Sequence, residues 1–355
     1  MSAFAIYRLP YAKEATLIQQ TEGEPAELLS CTELNGKSGF VVAPFQITAQ
    51  QPILLIRPDK VEVIKVRGEK PDGGEEKPDA GGEKGAISST YAIDFANYHS
   101  QLEAGTFRKI VLARCADEKA PDDLDVMALF HTACALYPRL FIALVYTEKS
   151  GCWLTATPEI LLDGDGTHWR TVALAGTMKL EGDQLNGEGE TLRWSTKNIQ
   201  EQRIVATYIT ECLEQFTGDF REEGPHTVRA ANLVHLRSDF TFTLPDAHHL
   251  GDLLNTLHPT PAVCGLPKCE AFQFIVSNEH TPRRYYSGFM GPLNIPLSPL
   301  HVHLYVSLRC MNIEGDTCHL YAGGGLLKDS TEEQEWAETE AKLETMRRCI
   351  AIRNK

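Results

Sequence analysis

The stretch "FRKIVLARC", residues 107–115, places a lysine within an apolar β-strand pattern. Side chains alternate between the two faces of a strand, so Phe107, Lys109 and Val111 share one face. A lysine in such a place can extend its ammonium group to solvent along the apolar surface. Alternatively, burial lowers the pKa of a lysine, which can then act as a general base near neutral pH. This strand is therefore expected to belong to the core and to carry a candidate catalytic residue.

The composition is that of a globular protein with a large core. The chain has 355 residues, 43% of them hydrophobic and 23% charged, and both values are ordinary for folded proteins. The formal net charge is −14, whereas proteins that bind nucleic acids or anionic membranes need a positive surface. We therefore expect no nucleic acid and no membrane as partner, and any anionic substrate needs locally placed cations.

The N-terminal segment and the cysteines indicate the compartment. The start, "MSAFAIYRLPYAKEATLIQQ", has no long apolar core, and no run of 18 apolar residues follows. We therefore expect neither a signal peptide nor a membrane span. Ten cysteines are scattered without a CxxC pair or a zinc-type cluster, so free thiols in a reducing cytoplasm are the expected state.

Strand and helix patterns follow each other without strict βαβ alternation, which favours an α+β fold. We expect one domain over residues 1–355, with a variable N-terminal part (1–65) and a catalytic core (88–355). Helices are predicted within 88–105, 123–138 and 195–216 and from Ser330 onward. Strands are predicted within 36–45, 51–58, 107–115, 140–147, 151–158, 301–313 and 316–325.

Residues 66–86, "VRGEKPDGGEEKPDAGGEKGA", repeat GEKPD-like units. This composition cannot bury enough apolar surface to become ordered. We predict a flexible surface insertion, and a partner-docking arm is the less favoured alternative.

Two glutamates lie beside apolar segments. Glu159 precedes the apolar run 160–162, where burial would raise its pKa and suit it to donate a proton, although a solvent-facing strand end is equally compatible with the pattern. Glu201 comes four residues before Val205 and so projects from the apolar stripe of its predicted helix. An unpaired carboxylate there would be costly, so we expect it to have a partner.

The closing helix carries a charged face. Ser330 and Glu333 are predicted to form a capping box. Glu335, Glu338 and Lys342 follow at i, i+3 and i+7 beside the apolar stripe. Ion pairing along the helix explains this face, but carboxylates from two helices that meet in one cleft would instead form an oxygen site for Mg²⁺.

The segment "LYAGGGLL" precedes this helix. Its glycines 323–325 allow backbone N–H groups to approach an anion closely, although a turn between strand and helix would also explain them. The spacing matches no nucleotide-binding motif. Arg309, on the strand before it, has the side chain to bind a carboxylate through two hydrogen bonds.

Taken in order, several segments resemble the chorismate-utilising enzymes, and most closely the isochorismate synthases. The resemblance runs from about Lys109 to the C terminus. The matching segments are "FRKIVLAR", "TPEILL", "ALAGT", "KNIQEQRIV", "NLVHLRSDFTFTL", "LHPTPAVCGLP", "YYSGFMGPL", "VSLRCMNIEGD", "LYAGGGLL" and "EQEWAETEAKLETM".

The resemblance implies a fold and a set of site residues. The fold is a single α+β domain of packed antiparallel sheets with helices outside and a Mg²⁺-dependent site in a cleft. Lys109 would activate water to attack C2 of chorismate, and Glu159 would protonate the departing C4 hydroxyl. The implied metal carboxylates are Glu201 and Glu338, with Glu335 close by. The implied substrate-binding residues are Gly176, Thr177, His258, Ala262, Tyr286, Arg309, Gly323, Gly325 and Lys342.

Relatives that use ammonia, the anthranilate and aminodeoxychorismate synthases, lack the water-activating lysine, so the resemblance implies no glutaminase subunit. A salicylate synthase keeps the lysine and remains an alternative, as does a non-catalytic chorismate-binding protein. The product would enter menaquinone or siderophore biosynthesis. The chain departs from the family pattern at Met178, where relatives often have arginine, and at Gln202, where histidine usually follows the glutamate.

Overall fold

The computed structural model describes residues 3–66, 87–180, 193–230, 233–244, 249–295 and 301–351. The predicted insertion lies outside these ranges from residue 67 onward. Within them the chain forms eighteen strands, six α-helices and one 3₁₀ turn, Cys31–Leu34. The helices are α1 Ser89–Glu103, α2 Val126–Leu136, α3 Thr196–Leu213, α4 Leu250–Leu257, α5 Lys268–Asn278 and α6 Glu332–Ala351.

The strands alternate with these helices in irregular groups. The first nine strands are β1 Ala3–Arg8, β2 Glu14–Gln20, β3 Ala26–Leu28, β4 Gly39–Ala43, β5 Ile53–Ile56, β6 Lys60–Lys65, β7 Lys109–Lys119, β8 Phe141–Thr147 and β9 Gly151–Thr157. The other nine are β10 Ile160–Gly164, β11 His168–Lys179, β12 Phe220–Ala230, β13 Leu233–Thr243, β14 Gly265–Leu266, β15 Phe289–Leu293, β16 Val302–Val306, β17 Cys310–Glu314 and β18 Thr317–Leu326.

The strands form two nine-stranded antiparallel sheets. The first sheet has the order β14-β7-β18-β17-β9-β8-β1-β2-β6, and the second has the order β12-β13-β11-β10-β16-β15-β4-β5-β3. Strands from the N-terminal part continue both sheets, since β1 pairs with β8 and β4 pairs with β15. The predicted α+β class with packed antiparallel sheets is confirmed.

The sheets face each other, and helices cover their outer faces. Phe141 of the first sheet and Tyr305 of the second stack with ring centroids 4.2 Å apart in the core between them. Helices α3 and α4 pack on the second sheet, and α2 and α6 pack on the first. Helices α1 and α5 cover the end of the first sheet at β7. No helix in the described ranges is long and apolar enough to cross a membrane.

Local sequence signals place several elements correctly. Helix α1 begins after Ser88, and α3 begins after Ser195; each serine hydroxyl accepts a hydrogen bond from a backbone N–H of the first turn. Strands β8 and β9 form the predicted hairpin. Strand β7 carries Lys109 on its buried face, where the lysine is fully inaccessible to solvent.

Two local predictions are wrong. Residues 301–313 form β16 and β17, which belong to different sheets, because the chain crosses over at Arg309, whose φ is 44°. The capping box at Ser330 and Glu333 is also absent. Thr331 instead accepts the hydrogen bond from Gln334 N, and the Ser330 hydroxyl donates to Glu335.

Candidate active site

A cleft lies between the two sheets at the end where β7, β18 and β11 meet α3 and α6. Its wall combines apolar side chains such as Val111 and Leu174 with charged groups. Ten of the predicted site residues line this cleft: Glu159, Gly176, Thr177, Glu201, Ala262, Tyr286, Arg309, Gly323, Gly325 and Lys342.

Lys109 lies directly behind the cleft wall. Its Nζ atom is 3.0 Å from Oε1 of Glu201, and the lysine side chain has no exposed surface. Among the described residues this ammonium makes an ion pair but no hydrogen bond. The expectation that Glu201 needs a partner is confirmed. An ammonium group has no lone pair, so Lys109 must lose a proton before it can act as a base.

Glu159 is buried at the start of β10. Burial raises the pKa of its carboxyl to about 7, and this effect outweighs the opposing charges of Arg309, Lys109 and Lys342. Near neutral pH the group therefore exists in both protonation states. Such a carboxyl can donate a proton to a leaving group in the cleft.

Each predicted metal carboxylate is paired with a different lysine. Glu201 pairs with Lys109, and Glu338 pairs with Lys342 at 2.7 Å. Glu335 accepts hydrogen bonds from Lys197 and from Ser330. Three carboxylates and three ammonium groups therefore balance one another beside the cleft.

The carboxylates have the donor chemistry that suits Mg²⁺. Burial and the charge of Glu338 raise the pKa of Glu335 to about 7. Its Oε2 atom is buried with no hydrogen-bond partner among the described residues. Burial acts to raise the pKa of Glu338, but the charge and hydrogen bond of Lys342 outweigh it and hold that pKa below its usual value. Hard oxygen ligands of this kind suit Mg²⁺, although the three groups must move from their lysines to converge on one ion.

Gly176 forms a bulge that connects β11 to α3. The β11–β13 register shifts between Ala175 and Thr177, and the φ of Gly176 is 72°. Its N–H donates to Oε2 of Glu201 over 3.2 Å. A Cβ at this position would lie 3.0 Å from the carbonyl oxygen of Asn198, so glycine lets the bulge approach the helix.

The three consecutive glycines lie within β18, not in a turn. A Cβ on Gly323 would lie 2.7 Å from the hydroxyl of Tyr286, and one on Gly325 would lie 2.1 Å from Oε1 of Glu201. Strand β17 ends opposite Tyr321, so Gly323 and Gly325 extend beyond it. The glycines make room for charged side chains and leave one backbone edge uncovered by β17.

His235 on β13 was missed by the sequence analysis. Nη2 of Arg309 donates to its Nε2 atom over 2.6 Å, and its Nδ1 atom lies 3.3 Å from Oγ1 of Thr177. Burial and the charge of Arg309 hold the pKa of His235 well below its usual value. The ring is therefore neutral with its proton on Nδ1, and it orients the guanidinium group. The available sequence signal was a single histidine within the apolar run "NLVHL".

His258, in contrast, does not line the cleft. Its Nε2 atom lies 3.3 Å from the carbonyl oxygen of Pro44, and its ring packs edge-on against Phe289. Burial and the charge of Lys268 lower its pKa to about 3. The imidazole is thus a neutral part of the packing behind the cleft.

Gln202, where relatives usually have histidine, has a structural role. Its amide donates to the carbonyl oxygen of Ala173 over 3.1 Å and to Oγ of Ser238 over 3.2 Å. The side chain is fully buried. It therefore joins α3 to β11 and β13 and does not contact the cleft.

Curated relatives and a solved structure are similar to this chain. Isochorismate synthase MenF of Escherichia coli (strain K12) is 31% identical over 253 residues, which are 71% of this chain and 58% of that relative. Isochorismate synthase EntC of the same strain is 29% identical over 241 residues, or 67% of this chain and 61% of that relative. The match therefore spans about three fifths of the length of these relatives.

The solved structure of MenF, the menaquinone-specific isochorismate synthase from Escherichia coli, has a TM-score of 0.78 to this fold at 23% identity. It covers 99% of this chain and 89% of that chain, and it shows that the two share a fold. A family model described as "Chorismate binding enzyme" matches residues 61–351. The chain therefore belongs to the chorismate-binding enzyme family.

Proposed function

We propose that this protein is an isochorismate synthase, which converts chorismate reversibly to isochorismate with Mg²⁺. The observation that carries the proposal is that a buried lysine and a buried, partly protonated glutamic acid lie beside the same cleft. Lys109 has no exposed surface, and the pKa of Glu159 is raised to about 7. A reaction that needs both a base and an acid can use these two groups in one turnover.

The substrate carries two carboxylates, and the cleft has cations and donors for both. Nη1 of Arg309 is buried with no hydrogen-bond partner among the described residues, so it is available to bind a carboxylate. Tyr286 lies beside Gly323 and adds a hydroxyl donor. The backbone of Gly323 and Gly325 supplies N–H groups at the edge that β17 leaves uncovered.

The two catalytic residues have opposite tasks. Lys109, as the neutral amine, removes a proton from water as the water oxygen forms a bond to C2 of the ring. Both conjugated ring double bonds shift by one position, and the C4–O bond breaks. Glu159 gives its proton to the departing hydroxyl, which leaves as water, so one hydroxyl replaces another and no redox partner is needed. The lysine proton and the ionised glutamate are then reset by exchange with solvent.

Glu201, Glu335 and Glu338 would hold Mg²⁺, which would supply positive charge to the ring carboxylate. Each of these carboxylates is paired with a lysine. A divalent cation held by them would add positive charge beside the dianionic substrate. We therefore expect Mg²⁺ to raise the affinity for substrate, and substrate to raise the affinity for Mg²⁺ by the same factor.

The direct test is incubation of the protein with chorismate and Mg²⁺, followed by chromatographic separation of the products. We expect isochorismate to accumulate with little salicylate, and purified isochorismate to regenerate chorismate. Salicylate and stoichiometric pyruvate, formed as fast as chorismate disappears, would identify a salicylate synthase. Unchanged chorismate in the presence of measurable binding would indicate a non-catalytic binding protein.

The metal carboxylates provide a second test. Glu201→Gln and Glu338→Gln each remove one charged oxygen ligand, so half-maximal activity should require at least about tenfold more Mg²⁺. Titration of turnover against Mg²⁺ measures this change. Glu333→Gln on the same helix is the control, because Glu333 is no predicted ligand. Wild-type activity that persists in EDTA would contradict the metal assignment.

The reaction uses water in place of ammonia, so the proposal includes no glutaminase subunit. The proposed compartment is the cytoplasm. The product would supply either menaquinone or a catechol siderophore, and the similar MenF structure is described as menaquinone-specific.

A further inference from the structure

Strands β7 and β18 bring a cysteine, an aspartate and a histidine together outside the cleft. Cys115 and Asp117 are two residues apart on β7 and so share one face of the strand. His319 lies directly opposite Asp117 on β18. In the part of the chain that the structure describes, this is the one group whose three metal-ligating atoms all lie within 4.8 Å of one another.

The distances between these atoms suit a tetrahedral metal ion. Oδ1 of Asp117 is 3.6 Å from Sγ of Cys115 and 2.7 Å from Nδ1 of His319. Zinc bonds of about 2.3 Å to sulfur and about 2.0 Å to nitrogen or oxygen place neighbouring ligand atoms roughly 3.3–3.6 Å apart. The Cys115–Asp117 distance already matches this spacing. The Asp117–His319 distance is that of a hydrogen bond and would have to lengthen by roughly 0.6 Å.

The surroundings allow an ion to enter. The side chain of Asp117 is 67% exposed and that of His319 is 26% exposed, so a water molecule can supply the fourth ligand. Cys115 would bind as a thiolate, because a coordinating thiol loses its proton to the metal's charge. The chemistry favours a borderline metal such as zinc over Mg²⁺.

We propose that Cys115, Asp117 and His319 bind one zinc-class transition-metal ion. The ion would link β7 to β18, the two strands that carry Lys109 and Gly325 at their other ends. Asp117 is eight residues from Lys109 along β7, or roughly 26 Å at about 3.3 Å per residue. None of the three residues lines the cleft, although Cys115 is paired across the strands with Tyr321, which does. The proposal does not depend on the proposed function.

Cobalt(II) is the probe, because a cysteine ligand gives it a thiolate-to-metal charge-transfer band in the near ultraviolet. Excess Mg²⁺ is present throughout to occupy the carboxylates of the cleft. We expect the wild-type protein to bind one Co²⁺ with this band, and Zn²⁺ to abolish the band by displacement. Cys115→Ser should remove the band, and His319→Asn should weaken binding at least about tenfold.

Cys269→Ser is the matched control. Of the ten cysteines, all within the described ranges, Cys269 is the one that is exposed. It should leave the band and the affinity unchanged. The proposal is overturned if the wild-type protein gives no thiolate band, or if the band persists in Cys115→Ser. Thermal melting of each variant without metal separates loss of the ligand from loss of the fold.

Discussion

Lys109 has apolar surroundings for its stem and a charged partner for its ammonium group. Its stem packs in the apolar inner face of β7, while its ammonium group pairs with Glu201 at 3.0 Å. Burial of an unpaired charge is costly, so removal of either partner leaves the other in an unfavourable state. The functional role of the lysine is therefore tested most directly by a variant that removes the charge and keeps most of the side-chain volume.

Lys109→Met keeps most of the side-chain volume and removes the base. With chorismate as substrate we expect turnover to fall by at least about a hundredfold, the usual scale for a positioned base. Steady-state rates measure the effect, and Lys109→Ala provides a second variant. Lys149→Met is the control, because Lys149 is a partly exposed residue that pairs with Glu27 away from the cleft. Near-normal turnover in a folded Lys109→Met protein would contradict the assignment.

The pKa of Glu159 predicts how activity depends on pH. The acid must be protonated to donate, and its pKa of about 7 means that this form is lost as the pH rises through that value. We therefore expect kcat to decline above about pH 7 through the titration of one group. A rate profile over several pH values measures it, and a decline only near the usual glutamate pKa would contradict the assignment.

Stability provides an independent check on the same group. A carboxyl whose folded-state pKa is raised stabilises the protein below its unfolded-state value, and this stabilisation is lost as the pH rises through the folded-state value. The loss of stability due to Glu159 therefore occurs between about pH 4.5 and about pH 7. Glu159→Gln should lack this part of the decline when denaturant unfolding is followed across that window.

The position of a site residue was predictable where the sequence signal was local. The alternation along β7 placed Lys109 on a buried face, and the family resemblance selected residues that line the cleft. His235 was missed because its role depends on Arg309, which is 74 residues away in sequence and reaches it only in the folded protein. Its neighbours in sequence are ordinary strand residues, so no local pattern marks it.

Strand β18 determines how closely the charged groups of the cleft can approach. A methyl group at Gly325 would lie 2.1 Å from Oε1 of Glu201 and 2.7 Å from Cε of Lys109. Both atoms belong to the ends of long side chains, which would have to move to make room for the methyl group. The glycine therefore leaves the space that the ion pair occupies.

Gly325→Ala should displace the Lys109–Glu201 pair. We expect turnover to fall at least about tenfold and the melting temperature to decrease, because overpacking a core costs about 1–3 kcal/mol. Rates and thermal melts of the same sample measure both effects. Gly218→Ala is the control, since nothing lies within 4 Å of a Cβ at that position and its φ is unstrained. Unchanged activity in Gly325→Ala would show that the pair tolerates displacement.

Segment 301–313 shows where the sequence pattern did not predict the strands. The segment 301–313 alternates as one strand would, but its two halves belong to opposite sheets. Both halves are buried, so the pattern does not change where the chain crosses over at residues 307–309. The left-handed backbone of Arg309, which directs the side chain to His235, is a consequence of this crossover.

The charge of the whole molecule opposes its proposed substrate. The net charge is −14, and the lysines and glutamates beside the cleft largely cancel one another. We therefore expect kcat/KM for the dianionic substrate to rise as inert monovalent salt is added at constant Mg²⁺, because the screening length falls to about 10 Å at 0.1 M. Rates at several salt concentrations measure this. A decrease with salt would show that the cations of the cleft attract the substrate over long distances.

The N-terminal strands have a consequence for how the chain can be divided. Strands β1, β2 and β6 complete one edge of the first sheet, and β3, β4 and β5 complete one edge of the second. Without them, β8 and β15 would become open edges and the apolar residues between the sheets would be exposed. Two fragments, one ending at residue 66 and one starting at residue 87, would each hold incomplete sheets whose missing strands lie in the other. The fold is thus suited to fragment complementation, in which cleft activity would appear only after the two pieces associate.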